Sequence, residues 1–221
     1  HVSNAASRHI ADWVKAGGVL FSTAAAGMFD EYNNPNTTLR NLMGVDLQSI
    51  IEPESAQVSM VKQDLPFSKP IDTLLWNGGK LETFGAQAVL QLRKPSLFSK
   101  KPDVLARFTN DSPALIKRPV GKGATYTCAF LPGLSYYRNA TPMLPVDRSS
   151  SINSLIHFLP TQFNDAARIL IDLPTRNLAK PVRCSAPLIE SCILDSPKGT
   201  AIVLVNWTRK TQKGLTVILD Q

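Results

Sequence analysis

SNAASRHIADWVKAGG (residues 3–18) runs directly into VLFST (residues 19–23). Ala6, Ile10, Trp13 and Val14 recur at helical spacing and make one apolar stripe, which predicts a helix facing a core. Ser3 or Asn4 can cap its start, and Gly17 can take the left-handed conformation that ends a helix. The β-branched and aromatic run from Val19 to Thr23 follows at once and reads as a buried strand. Helix, tight turn and buried strand form the repeating unit of parallel α/β sheets. Such a sheet normally opens with a strand, so a chain that opens with a helix is expected to continue an upstream part of a larger protein.

Working outward, residues 24–36 form a loop of small and polar residues, followed by a short helix from about Thr38 to Met43 that Gly44 ends. In open parallel sheets the loops at the carboxyl ends of strands form the ligand crevice, which points to Asp30, Glu31 and Asn33 as candidate binding residues. Between Val45 and Lys101 the runs IIEP, VSMV and AVLQLR read as short strands separated by Pro, Gly and Lys turns. DVLARFTNDSPALIKRPVGKGATYTCAFLPG (103–133) gives three alternating runs with turns at Asn110-Asp111 and Gly121-Lys122-Gly123, a β-meander signature. From Asp147 to Phe158 a run of serines precedes Ile152, Leu155, Ile156 and Leu159 at helical spacing, predicting a helix that closes the layer.

From Pro181 the pattern changes. VRCS, LIESCILD, TAIVLVNW and LTVILDQ read as four short strands, too few for an independent sandwich. The expected organisation is an α/β domain over residues 1–180 and a small β-domain over residues 181–221.

The 221 residues carry 43% hydrophobic and 19% charged side chains, the balance of a globular chain. No apolar run is long enough for a membrane helix. The net charge of +7 is spread along the chain rather than gathered into a basic stripe with aromatics, which argues against nucleic acid as a partner. Cys128, Cys184 and Cys192 are too few for a disulfide framework and lack zinc-site spacing. Cys184 and Cys192 can face each other across a hairpin, or serve as small buried residues. No cofactor is implied, and the sequence leaves bacterial cytoplasm and exported compartments equally open.

WVKAGGVLFSTAAAGMFDEYNNPNTTLRNLMGV (13–45) resembles the middle, trimerisation-type domain of a glycoside hydrolase family of β-galactosidases. The likeness lies in the Gly-Gly turn between helix and strand, the small-residue loop with Gly27 and Asp30-Glu31-x-Asn33, and the helix with Leu39, Leu42 and Gly44. ARFTNDSPALIKRPVGKGATYTCAFLPGLSYYR (106–138) is similar to the same domain's Ser-Pro-Ala strand, Gly-Lys-Gly turn and aromatic strand end. Residues from Pro181 onward resemble the small β-domain that follows in those enzymes. The resemblance implies a class I glutamine amidotransferase-like, flavodoxin-like parallel sheet with helices on both faces, plus a small antiparallel β appendage. It also implies a role in architecture and assembly, with a catalytic domain or other subunits of a parent protein as partners. The catalytic barrel with the family's two glutamates is not in this sequence.

Several residues invite chemistry. An amidotransferase needs a cysteine on a strained strand-to-helix elbow and a histidine to deprotonate it. Cys128 sits instead in strand-like YTCAFLPG, and His157 on the helix expected over 147–158. Glycoside hydrolysis needs two carboxyl groups flanking one bond, and the neighbouring side chains of Asp30 and Glu31 diverge. The oxygen-rich loop lacks calcium-loop spacing, so backbone capping is the plainer role. His1, His9 and His157 are too dispersed for a metal set. Gly121-Lys122-Gly123 lacks the longer glycine loop and following helix of a phosphate site and reads as a hairpin turn. Tyr136 and Tyr137 are candidates for stacking on a sugar ring, or packing residues at a strand end. Asn36, Asn110, Asn139 and Asn206 stand in glycosylation triplets, which matter only in a eukaryotic secretory setting. The leading expectation is an accessory or assembly domain of a carbohydrate-active protein, with homo-oligomer and carbohydrate partners left open. The alternatives are an amidotransferase-like or hydrolytic enzyme with a site at the Asp30-Glu31 loop, and a carbohydrate-binding module.

Overall fold

The computed structural model describes residues 1–52, 70–94, 100–142, 158–208 and 210–220. Helix α1 (Asn4–Ala16) starts where the Ser3 hydroxyl accepts from the Ala6 amide, and ends at Gly17, whose φ of 131° few other residues adopt. Ala11 and Val14 of its stripe are buried, whereas Trp13 is 53% exposed and lies over Gly18. Strand β1 (Val19–Thr23) follows, then a loop and helix α2 (Thr37–Met43). Asn36 caps α2 by accepting from the Leu39 amide, and Gly44 closes it at φ 74°.

Beyond α2 the chain turns to antiparallel β-structure. β2 (Val45–Ile51) pairs with β5 (Gln87–Leu92), and the hairpin of β3 (Asp72–Trp76) and β4 (Gly79–Thr83) lies between them in sequence. The hairpin turns at Asn77-Gly78, both at positive φ, where the backbone twist matches that of the flanking strands. The expected meander forms as β6 (Asp103–Arg107), β7 (Pro113–Val120) and β8 (Gly123–Cys128). A short helix α3 (Pro132–Tyr136) leads to β9 (Tyr137–Pro142), which pairs with β10 (Phe158–Phe163). Helix α4 (Asp165–Asp172), capped by Asn164, continues into one 3-10 turn at Leu173–Thr175. Last come β11 (Val182–Cys184), β12 (Ile189–Ser196), β13 (Gly199–Asn206) and β14 (Val217–Leu219), paired as β11 with β14 and β12 with β13.

The flavodoxin-like parallel sheet with helices on both faces is therefore corrected. Among the described residues the largest sheet has the order β1-β8-β7-β6, and within it only β1 and β8 run parallel. The remaining strands form separate two-stranded antiparallel sheets. The physical reason is the connections: two-residue turns such as Gly121-Lys122 force neighbouring strands to run antiparallel, whereas parallel neighbours need a long crossover. The helix–turn–strand unit at the start is real, but it supplies a single parallel pairing. Of the helix expected over 147–158, residues 147–157 lie outside the described residues, as does the strand expected at VSMV. Phe158 and Leu159 open β10 instead.

The core joins α1, α2, the mixed sheet, β3–β5 and α4. Phe130, Met28, Met43, Leu81, Leu115, Ile116 and Leu170 are its largest fully buried apolar members, and Phe108 meets Phe130 edge-on at 6.0 Å. Arg118, from β7, crosses to α2 and donates to the carbonyls of Asn41 and Leu42, satisfying orphan acceptors at that helix's carboxyl end. Among the described residues none after Leu173 joins this core.

The turn between β7 and β8 rests on the end of α1. The Lys122 amide donates to Lys15 O at 2.9 Å and the Ala124 amide to Gly18 O at 3.2 Å. A Cβ on Gly123 would stand 2.1 Å from Gly18 O and 2.2 Å from Val14 O, both backbone atoms. Gly123→Ala is accordingly expected to destabilise the chain by about 3 kcal/mol, the upper end of overpacking effects, as read by urea unfolding. Gly133→Ala, with no atom within 4 Å of the added Cβ, is expected to change stability little.

Candidate functional site

The loop at the carboxyl end of β1 begins with a sharp turn. Ala24 and Ala25 have φ of 41° and 68°, and the Ala24 amide donates to Cys128 O at 2.9 Å. Two successive alanines at positive φ are strained, and strain of this kind clusters at functional sites. Here the strained positions carry only methyl groups, so the elbow presents no nucleophile.

Cys128 lies beside that elbow at the end of β8, fully buried. Desolvation pushes its thiol up to about 12, with the Phe130 amide pulling weakly the other way. A thiol in that state is neutral at physiological pH and is neither a nucleophile nor a metal ligand. Its proposed histidine partner, His157, lies outside the described residues.

Asp30 is 7% exposed and turned inward. Its Oδ1 accepts from the amides of Tyr32 (2.9 Å) and Asn34 (2.8 Å), and its Oδ2 from Asn4 Nδ2 (3.3 Å). Desolvation, the largest influence, raises its pKa. The bonds from Asn34, Tyr32 and Asn4 together outweigh it and leave the carboxyl below its ordinary value. Glu31 accepts from the Asn4 backbone amide at 2.7 Å, at the amino end of α1, so both carboxylates meet Asn4. Asn33, at φ 63°, accepts through its Oδ1 from His1 Nε2 at 2.9 Å. Asn36, fully buried, donates to Val2 O and to the Ser7 hydroxyl while capping α2. Its burial removes the glycosylation reading of that triplet from the folded chain. Arg40 ties the loop to α2, donating to Met28 O at 2.9 Å and lying 5.4 Å from the Phe29 ring centre. These contacts account for the loop's polar residues as a clasp joining α1, the loop and α2. Tyr32 is the exception, 76% exposed on a loop held rigid by its neighbours.

The remaining candidates are dispersed. The amides of the Gly121-Lys122-Gly123 turn face α1 rather than an anion, as described above. Tyr136 ends α3, with its ring 6.0 Å from Phe163; the side chain of Tyr137, at the start of β9, lies outside the described residues, as does that of Asn139. Asn110 and Asn206 accept from the hydroxyls of Ser112 and Thr208. Cys184 lies opposite Val217 and Cys192 opposite Val203, so they do not face each other across one hairpin, and both are free thiols. Among the described residues no group of three or more His, Cys, Asp or Glu is arranged to hold a metal ion.

Sequence reasoning missed α4 and a cleft beside it. Gly133, Tyr136, Arg168, Asp172, Lys180 and Arg183 are among the residues lining a space of about 620 Å³ between α3, α4 and the start of β11. The signal for α4 was present in Asn164-Asp165, a capping residue followed by an acid in the first turn.

No family model matches the chain, and no curated protein matches it. Solved structures do. A GH42 β-galactosidase from G. stearothermophilus superposes on all of this chain with a TM-score of 0.60 at 14% identity, using 26% of its own length. A β-galactosidase from Bacillus circulans sp. alkalophilus matches 99% of the chain with 30% of its own, at a TM-score of 0.58 and 14% identity. A β-galactosidase from Rahnella sp. R3 matches 93% with 26% of its own, at 0.58 and 16%. At such identities the likeness is one of fold, and the chain spans between 26% and 30% of the length of these three enzymes.

Two outcomes follow from the site's geometry. Thiol labelling of the native chain should modify exposed Cys192 and half-buried Cys184, while Cys128 reacts only after unfolding; rapid native labelling of Cys128 would contradict its burial. Because the folded-state pKa of Asp30 is depressed, its stabilising contribution is complete above about pH 4 and falls away as pH drops through the folded pKa. The difference in melting temperature between the native chain and Asp30→Asn should therefore be largest near neutral pH and shrink below about pH 4.

Proposed function

We propose that this chain is an accessory, assembly-type region of a larger carbohydrate-active protein, with a domain over residues 1–180 and a small β-domain over 181–221. The observation that carries this reading is the β12–β13 hairpin, whose second strand is apolar on both faces. Leu194 is 57% exposed, and Ile202, Val203, Leu204 and Val205 are 38–42% exposed, with Trp207 beside them at 47%. A polar-out, apolar-in alternation is the pattern of a strand with one wet face; TAIVLV is that of a strand covered on both. An exposed apolar area of this kind marks an interaction surface.

The fold likeness to stretches of β-galactosidases supports placing the partner surface on the catalytic domain of the same parent polypeptide. The resemblance of residues 13–45 and 106–138 to a trimerisation-type domain adds self-association of the parent as the finer form of the proposal. In this role residues 24–36 serve as a structural clasp.

Val203→Glu tests the reading. In the isolated chain Val203 is already partly in water, so its stability should change by no more than about 0.5 kcal/mol. In the parent protein the same change should lower the melting temperature and expose the hairpin to proteolysis. Equal effects in chain and parent would refute the assignment of this surface.

A further inference from the structure

We propose that Asn77, at the tip of the β3–β4 hairpin, is a self-modification site: its side-chain amide closes onto the Gly78 nitrogen, loses ammonia, and leaves aspartate or isoaspartate at that position. The inference is separate from the assembly role proposed above and rests on this hairpin alone.

The reaction needs a backbone nitrogen with room to approach the carbonyl carbon of the preceding asparagine side chain. The Gly78 nitrogen gives up its proton and attacks Asn77 Cγ. A C–N bond forms, the bond from Cγ to Nδ2 breaks, and Nδ2 leaves as ammonia with the proton that the backbone nitrogen lost. Water then opens the cyclic imide at one of its two carbonyl carbons, giving aspartate or isoaspartate. The balance is one water in and one ammonia out, with no oxidant or reductant.

A side chain on the following residue obstructs that approach, and glycine has none. Asn77 is the one asparagine of the sequence that glycine follows. Both residues are exposed, and a Cβ built on Gly78 would meet no atom within 4 Å, so the space beside the nitrogen is open. Among the described residues no hydrogen bond holds the Asn77 amide. Other asparagines are engaged and are followed by larger residues. Asn36 and Asn164 cap helices ahead of Thr37 and Asp165, while Asn110 and Asn206 hold turns ahead of Asp111 and Trp207.

The position gives the modification a structural consequence. Asn77 and Gly78 turn the chain with φ of 50° and 76°, the pair of left-handed conformations that a two-residue hairpin loop requires. Aspartate is accepted in such a turn and adds only a charge. Isoaspartate instead carries the chain through its side-chain carbon, so the loop gains one backbone atom and no longer holds Trp76 opposite Gly79. That pairing lies two residues from Leu74 and Leu81, which face each other across the hairpin and are 2% and 0% exposed. On the other side a Cβ on Gly79 would stand 3.2 Å from Ala166 Cβ of α4. Lengthening the loop therefore loosens both the core at Leu74 and the seat of the hairpin on α4.

The test incubates the full chain in mildly alkaline buffer at physiological temperature and follows each asparagine by peptide mass mapping, with isoaspartyl methyltransferase labelling to separate the two acids. Asn77 is expected to convert before any other asparagine, with one ammonia released for each acid formed. The isoaspartyl fraction should melt at least about 3 °C below the native chain, whereas Asn77→Asp, which reproduces only the charge, should melt close to it. Asn77→Gly keeps the turn and has no amide, so it should fold as the native chain does and form no acid at this position. Another asparagine reacting first, or none reacting, would overturn the site. An isoaspartyl form as stable as the native chain, or an Asn77→Asp variant as unstable as the isoaspartyl form, would overturn the consequence drawn for the hairpin. None of these results bears on β12–β13, whose Val203→Glu test stands separately.

Discussion

Bare backbone meets bare backbone where the turn after β7 rests on the carboxyl end of α1. Gly121 and Gly123 stand so close to Lys15 and to Gly18 that a methyl group at either glycine would overlap a carbonyl oxygen. The two amide bonds formed there, from Lys122 and Ala124, satisfy carbonyls that the end of a helix otherwise leaves open. They also fix β1 against β8, with Val19 opposite Ala124 and Thr23 opposite Cys128. The parallel pairing thus follows from a glycine contact, and the strained elbow at Ala24 follows from the pairing. Lys15 and Lys122 stand where the helix dipole favours cations, which gives both a structural use.

Downstream of that contact the polar residues of the loop are spent on geometry. Asp30 illustrates how opposing effects resolve. Burial alone would favour its neutral form, yet three donors converge on the carboxylate and the charged form wins. Glu31, Asn36 and Arg40 divide the same labour, each bonding to backbone of a different segment. A carboxylate held this way orders a loop well and has little freedom left to exchange protons with a substrate.

Much of the local structure was legible in the sequence because short-range chemistry decides it. The stripe ending in Gly17, the Gly44 stop, the meander and all four strands after Pro181 follow from spacing and turn residues. Sheet direction was not legible in the same way. One helix–turn–strand unit suggested parallel neighbours, while the two-residue turns that make the neighbours antiparallel stood in the same sequence. Asn77-Gly78 within WNGGK is an equally clear hairpin signal. The cleft could not be read at all. Tyr136 stands far along the sequence from Asp172 and Arg183, and only tertiary packing brings the three to one cleft.

The hairpin raises the question of what stabilises it. A two-stranded sheet is marginal alone, and β12–β13 gains little from the main core, which stops at Leu173. Burying one aliphatic side chain fully is worth roughly 1.5–3 kcal/mol. Ile202, Val203, Leu204 and Val205 keep about two-fifths of their surface in water and Leu194 keeps 57%, so covering them would contribute on the order of 4 kcal/mol. That is comparable to the low end of the net stability of a whole domain, about 5–15 kcal/mol. A surface that contributes on this scale when covered acts as a thermodynamic link: covering it would stabilise the β12–β13 hairpin by an amount comparable to a large share of a domain's net stability.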